Sequence, residues 1–311
     1  MNEIKFGDCR DIMSDWELLG VKAQMCVTSP PYFGLRDYGV KGQIGLEQTP
    51  DEYVSNLVDV FRGVRNILAD DGTLWLNLGD SYASDTKGTG GAGKSTLGPN
   101  KDLQNIQFQK MKPRKFNCGL QNKQLIGIPW RVAFALQADG WYLRQDIIWQ
   151  KPNCMPRPDK DRCVTSHEYI FLLAKSKRYY FDYKAIQEDA VNAGQVVKLG
   201  PKSFSKGQAA GARVGASGNG LHDSYTVPAK RNRRSVWTVT TKPYSGAHFA
   251  TFPADLIEPC ILAGSRPGDI VLDPFMGSGT TAQVAQAFGR QYLGCELNPE
   301  YKKLIDKRLK K

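Results

Sequence analysis

The chain reads as an α/β fold, and three features of its 311 residues support that reading. Short runs of β-formers alternate with stretches whose apolar residues recur at helical spacing. Proline and glycine punctuate the ends of those runs. The length suits about two domains, or one large domain with an insertion. Such a chain buries roughly three quarters of its unfolded surface and needs no disulfide or metal staple.

Gln24–Thr28 is a strand that runs into Ser29-Pro30-Pro31-Tyr32, where two prolines forbid further pairing and leave a rigid loop. Thr49-Pro50-Asp51-Glu52 is a helix start, with Thr as N-cap, Pro at the first helical position and Glu at the third. Val54, Leu57, Val58, Phe61, Val64 and Leu68 follow at helical spacing, and Asp70-Asp71-Gly72 is expected to stop the helix. Thr73–Leu78 is a buried strand that ends at Gly79-Asp80. Residues 84 to 124 are rich in Gly, Lys, Asn and Gln and lack periodicity, which predicts a mobile insertion over 84–119. A helix is predicted over Pro129–Ala138, then strands at Gln145–Trp149, Glu168–Leu173 and Tyr179–Tyr183, the last two forming a hairpin. From Ala190 to Pro228 there are seven glycines and one acid, Asp223, which is poor core material. A helix over Pro253–Ala263 leads through Pro267-Gly268-Asp269 to a strand at Ile270–Leu272. A helix from Thr280, a strand at Gln291–Glu296 and a basic helix from Pro299 complete the pattern, with no internal repeat.

The net charge of +11 is unevenly placed. Lys151 to Ala247 holds 17 basic and 7 acidic residues, and Ser84 to Gln124 holds 8 and 2. A nearly neutral body with two basic segments suits a polyanion binder, because neutralising phosphates releases counterions. No apolar run approaches the ~18–20 residues of a membrane span. Seven cysteines without a Cys-x-x-Cys pair, and an opening without a signal peptide's apolar core, predict a reducing, cytoplasmic setting.

Asp273-Pro274-Phe275-Met276-Gly277-Ser278-Gly279-Thr280-Thr281 places an acid at the end of a buried strand and a Gly-x-Gly turn at the start of a helix. Glycines there let backbone approach a ligand, and the helix start offers free N–H groups. Glu296, at the end of the next strand, stands where an acid binds ribose hydroxyls in a Rossmann-like unit. The third glycine of the dinucleotide fingerprint is missing, so no pyrophosphate is implied.

Together with Thr28-Ser29-Pro30-Pro31-Tyr32, this turn resembles the amino-group DNA methyltransferases, and the motif order is similar to their permuted β class. The resemblance implies a Rossmann-like sheet with helices on both faces, S-adenosylmethionine as cofactor and duplex DNA as substrate. The catalytic and cofactor domain would comprise 1–83, 120–183 and 248–311, and the target-recognition region 184–247. Ser29, Pro30, Pro31 and Tyr32 would be catalytic. Asp8, Phe249, Phe252, Asp273, Phe275, Gly277, Ser278, Gly279, Thr280 and Glu296 would surround the cofactor. Ser before Pro-Pro-Tyr goes with N4 of cytosine in that family, Asp or Asn with N6 of adenine. Lys230, Arg231, Arg233 and Arg234 are candidate DNA contacts, since arginine forks match guanine edges and phosphates. A bacterial or phage-encoded enzyme is implied, as monomer or homodimer, with a cognate restriction enzyme as candidate partner. Strand Ile270–Leu272 should then lie beside Gln24–Thr28, with both motifs at the carboxyl edge of the sheet.

Other motifs point elsewhere. Gly88-Thr89-Gly90-Gly91-Ala92-Gly93-Lys94-Ser95 fits the phosphate-loop pattern, but no strand leads into it and Gly98-Pro99 prevents the long helix that should follow. A nucleotide triphosphatase is thus the distant alternative, beside a DNA-binding protein without catalysis. Cys260 follows Pro259 as the nucleophile of C5-cytosine methyltransferases does, yet sits in an amphipathic helix as a small hydrophobe. His167-Glu168 and the cysteines lack metal-ligand spacing, and His167 is expected to begin a strand.

Overall fold

The computed structural model describes residues 1–83, 119–154, 156, 159–198, 224–241 and 252–310. In chain order the elements are β1 (Asn2–Phe6), α1 (Cys9–Leu18), β2 (Ala23–Thr28), α2 (Pro50–Ile67), β3 (Leu68–Leu78), α3 (Ile128–Ala138), β4 (Tyr142–Gln150) and β5 (His167–Ala174). Four short strands follow: β6 (Glu188–Asp189), β7 (Val196–Lys198), β8 (Ser224–Thr226) and β9 (Lys230–Arg231). The series ends with β10 (Val236–Thr238), α4 (Ala254–Gly264), β11 (Ile270–Asp273), α5 (Thr280–Ala287), β12 (Gln291–Glu296) and α6 (Lys302–Leu309).

Two compact units emerge, Met1–Asp182 with Ser235–Lys311, and Tyr183–Arg234. The first is built on an eight-stranded sheet of order β1-β12-β11-β2-β3-β5-β4-β10. Among these strands, β5 runs against its neighbours β3 and β4 while the other pairs are parallel. β11 pairs with β2 as expected, Val271 opposite Met25 and Leu272 opposite Cys26. Leu74, Leu76 and Leu78 of β3 share a core with Leu57, Phe61 and Val64 of α2 and Val132 and Leu136 of α3. Alternate residues face the other way: Met25 and Trp75 abut Gly264 of α4. Helices therefore cover both faces.

The predicted capping box of α2 is present, with the Thr49 hydroxyl accepting from the Glu52 N–H and the Glu52 carboxylate from the Thr49 N–H. The helix ends before Leu68, which is already extended and pairs with Ala23. Asp70-Asp71-Gly72 is thus not a helix stop but part of β3, where the register shifts between Ala23 and Met25. A Cβ at Gly72 would lie 2.8 Å from the Ala69 carbonyl, so glycine is required at this irregularity. Tyr179–Tyr183 does not form the predicted hairpin with β5. Its backbone instead donates from Tyr180 to the Asp71 carbonyl and from Asp182 to the Ala263 carbonyl, and Phe181 stacks on Trp75. Cys260 is buried within α4, and its thiol donates to the Leu256 carbonyl.

The unit Tyr183–Arg234 holds two antiparallel ribbons, β6 with β9 and β7 with β8. Val236–Thr238, inside the basic span in sequence, pairs with β4 as the edge strand of the main sheet. The insertion 84–119, apart from Gly119, and the phosphate-loop pattern at 88–95 lie outside the described residues. No described helix is long and apolar enough to cross a membrane.

Candidate active site

Asp273 closes β11 and is almost fully buried. The Thr28 and Thr281 hydroxyls donate to its two carboxylate oxygens, both at 2.6 Å, and the Phe275 N–H donates at 3.0 Å. Burial raises its pKa to about 6 against the pull of those three donors. The residue thus ties the end of β2 to the glycine turn and the first turn of α5.

That turn needs its glycines: Gly277 and Gly279 adopt φ of 56° and 86°, the left-handed region. The Glu296 carboxylate at the end of β12 accepts from the Gly277 N–H at 2.8 Å and the Asn298 N–H at 2.7 Å. Burial pushes its pKa up to about 7 although those bonds favour the anion. The Thr280 hydroxyl is taken by Arg308. Ser278 Oγ is buried without a hydrogen-bond partner among the described residues. An orphaned hydroxyl beside a glycine turn and a buried acid fits a polar ligand that supplies the missing bond.

Asp8 caps α1 and is gripped by Arg10, at 3.0 Å from Nε and 2.5 Å from Nη2. That guanidinium holds the Asp8 carboxyl below the usual carboxylate range.

Beyond β2, Ser29 to Tyr32 forms the rigid loop that the prolines predict. The Tyr53 hydroxyl donates to the Pro31 carbonyl at 2.8 Å and pins it to α2. The Tyr32 hydroxyl donates to Glu168 Oε2 at 2.7 Å, and Ser29 Oγ donates toward the Tyr32 oxygen at 3.4 Å. Burial and then the nearby Glu168 charge hold the Tyr32 hydroxyl protonated, well above its ordinary range. With its proton turned toward Tyr32, the Ser29 oxygen has lone pairs available as acceptors.

Both loops open into one cavity of about 510 Å³ at the carboxyl edge of the sheet. Of the sequence candidates, Asp8, Ser29, Pro30, Pro31, Tyr32, Phe252, Asp273, Phe275, Gly277, Ser278, Thr280 and Glu296 line it. Gly279 sits just behind as the cap of α5, and Phe249 lies outside the described residues. Lys230, Arg231, Arg233 and Arg234 belong to the second unit. There Lys230 pairs with Asp189 at 2.6 Å, and Arg231 and Arg234 with Glu188 at 2.9 and 2.8 Å.

Sequence reasoning missed the far wall of the cavity, where Asn77, Trp149, Lys151 and Glu168 stand. Asn77 carried a signal, a polar residue inside the apolar run Leu74–Leu78. Lys151 and Glu168 carried none until β4 and β5 were paired.

The comparisons agree with this geometry. A family model described as DNA methylase, of the N6/N4 methyltransferases, matches residues 23–307. The chain is 48% identical to the Type II methyltransferase M.SmaI of Serratia marcescens over 91% of its own length and 82% of that protein's. It is 46% identical to M.Cfr9I of Citrobacter freundii over 91% and 80%. Its fold matches the PvuII DNA methyltransferase, cytosine-N4-specific, with a TM-score of 0.62 at 18% identity over 99% of this chain and 86% of that one. It matches the M1.HpyAVI complex with S-adenosylmethionine with a TM-score of 0.53 at 19% identity, over 99% and 100%. With almost its whole length spanned by the family model, and the Ser-Pro-Pro-Tyr loop and the glycine turn facing one cavity, the chain belongs to the N6/N4 DNA methylase family.

Proposed function

We propose that this protein methylates the exocyclic N4 amine of cytosine in duplex DNA, with S-adenosylmethionine as methyl donor. The observation that carries the reading is the shared cavity, in which the acceptors of the Ser29–Tyr32 loop stand across the Thr28–Asp273 hydrogen bond from the glycine turn. An exocyclic amine is a poor nucleophile because its lone pair is conjugated into the ring. The Ser29 oxygen and the Pro30 carbonyl accept its two N–H groups and localise that lone pair, and the prolines aim both acceptors in advance. The Tyr32 face stacks on the extruded base. When bound, S-adenosylmethionine supplies an activated methyl group on a sulfonium sulfur.

The cofactor is assigned to the half of the cavity over β1, β12 and β11, with Asp8, Phe252, Phe275, Gly277, Ser278, Gly279, Thr280 and Glu296 around it. Asp273 belongs to the same set: its three donors support the turn and leave one acceptor position on Oδ2. Cytosine is favoured over adenine by Ser29 in place of Asp or Asn. Residues 184–247 read the DNA sequence through Lys230, Arg231, Arg233 and Arg234, and 84–124 mainly clasp its backbone. A cognate restriction enzyme is the expected companion, in keeping with the Type II naming of the relatives. The test incubates DNA with the protein and labelled cofactor, digests it to nucleosides and separates them. Label in N4-methylcytosine supports the assignment; label confined to N6-methyladenine overturns the choice of base.

A further inference from the structure

The amine is one edge group of the target base; the ring nitrogen beside it, N3 in cytosine, is a hydrogen-bond acceptor that must also leave water. An acceptor buried without a donor is costly, so the far wall of the cavity should supply one. Few donors there are free. Both Asn77 Nδ2 hydrogens are committed, to Glu168 Oε2 at 3.2 Å and to the Tyr169 carbonyl at 3.0 Å. The Trp149 indole N–H donates to the Val239 carbonyl at 2.8 Å, and the Tyr32 hydroxyl is spent on Glu168. Lys151 differs: its ammonium has three hydrogens, and its bond among the described residues is to Glu168 Oε1.

Lys151 is also held in place. It follows the end of β4, its backbone N–H donates to the Ser166 carbonyl at 2.8 Å, and its ammonium sits 4.2 Å from the Trp149 ring centroid. The Lys151 and Glu168 side chains are only 19% and 16% exposed. The pair is neutral as a unit, so it can donate a charge-assisted bond without setting a net positive charge against the charge that develops on the amine.

We propose that Lys151, oriented by Glu168 and Trp149, reads the target base by donating to the ring nitrogen next to the reacting amine. The proposal rests on the amine-methylation reading, and on the cytosine assignment only for the identity of the ring atom.

The experiment is a cycle between protein and base. Methylation-aware sequencing of DNA modified by the wild-type protein gives the recognition site. Two synthetic duplexes then carry cytosine or 3-deazacytosine at the target, the analogue replacing N3 by C–H and keeping the amine. Single-turnover methyl transfer and cofactor affinity are measured for wild type, Lys151→Met and Lys151→Arg. Wild type should lose about 10- to 100-fold on the analogue, as expected for one bond to a charged donor. Lys151→Met should lose a similar factor on cytosine and little more on the analogue, with unchanged cofactor affinity. Independent, multiplying losses would overturn the proposal, as would a Lys151→Met rate equal to wild type. If Lys151→Met does not fold, Lys151→Arg carries the comparison: it keeps a donor, and insensitivity to the analogue there refutes the contact. Should the product be N6-methyladenine, the cytosine assignment fails by itself, and the same cycle with 1-deazaadenine decides the role of Lys151.

Discussion

Glu296 should make cofactor binding depend on pH near neutrality. Its carboxylate is buried and accepts two backbone N–H groups, which leaves about one acceptor position on each oxygen for ribose hydroxyls. Burial places its pKa at about 7, against 4.5 for an unperturbed carboxyl. If the anion is the form that accepts those hydroxyls, affinity should fall about tenfold from about pH 8 to about pH 6. Binding near neutral pH should release a proton. Glu296→Gln offers one acceptor where Glu offers two and turns its amide hydrogens toward a backbone N–H. It should weaken binding by ~1.5–3 kcal/mol at about pH 8 and remove the pH dependence. The free protein should show the opposite trend in stability. The folded carboxyl holds its proton to a higher pH than the unfolded one, so stability is lost as pH rises from 4.5 to about 7. Titration calorimetry in buffers of different ionisation enthalpy measures affinity and proton release together. A wild-type affinity flat across this range, or a slope surviving in Glu296→Gln, would refute the reasoning.

Ser29→Ala removes one preorganised amine acceptor and should slow methyl transfer by about 100-fold, read by single-turnover assay with cofactor affinity intact. Gly79→Ala would put a Cβ 2.6 Å from Tyr32 Cε2, so the ring must move; transfer should drop on the order of 100-fold while calorimetry shows normal cofactor binding. Replacing Arg231, Arg233 and Arg234 together should weaken DNA binding and flatten its salt dependence, measured by fluorescence anisotropy. An unchanged salt slope would remove them from the interface.

What the sequence disclosed about this site was local. Pro30-Pro31 and Gly277-Ser278-Gly279 state their geometry in their own covalent chemistry, and Thr49 to Glu52 declares a helix start by hydrogen bonds within four residues. The far wall was hidden because it is assembled by pairing: Glu168 reaches Tyr32 only when β5 lies between β3 and β4. The Glu168 position was read for metal spacing, which says nothing about a carboxylate whose partners are 136 and 91 residues away. Tyr179–Tyr183 misled for the opposite reason. Its aromatic residues have high β propensity, but Phe181 spends that on stacking against Trp75 while the backbone bonds to single carbonyls on either side.

The hydrogen bond between Thr28 and Asp273 joins residues 245 positions apart. Strand β2 lies between β3, its successor in the chain, and β11, which the ribosome makes only after most of the protein has emerged. During synthesis one side of β2 can pair early while the other stays an open, apolar edge. So many long-range pairings predict slow folding and an aggregation-prone nascent chain that a chaperone would shield. The same order keeps the Ser29–Tyr32 loop apart from the glycine turn until β11 is made, so on the proposed reading an incomplete chain has no assembled centre with which to modify DNA.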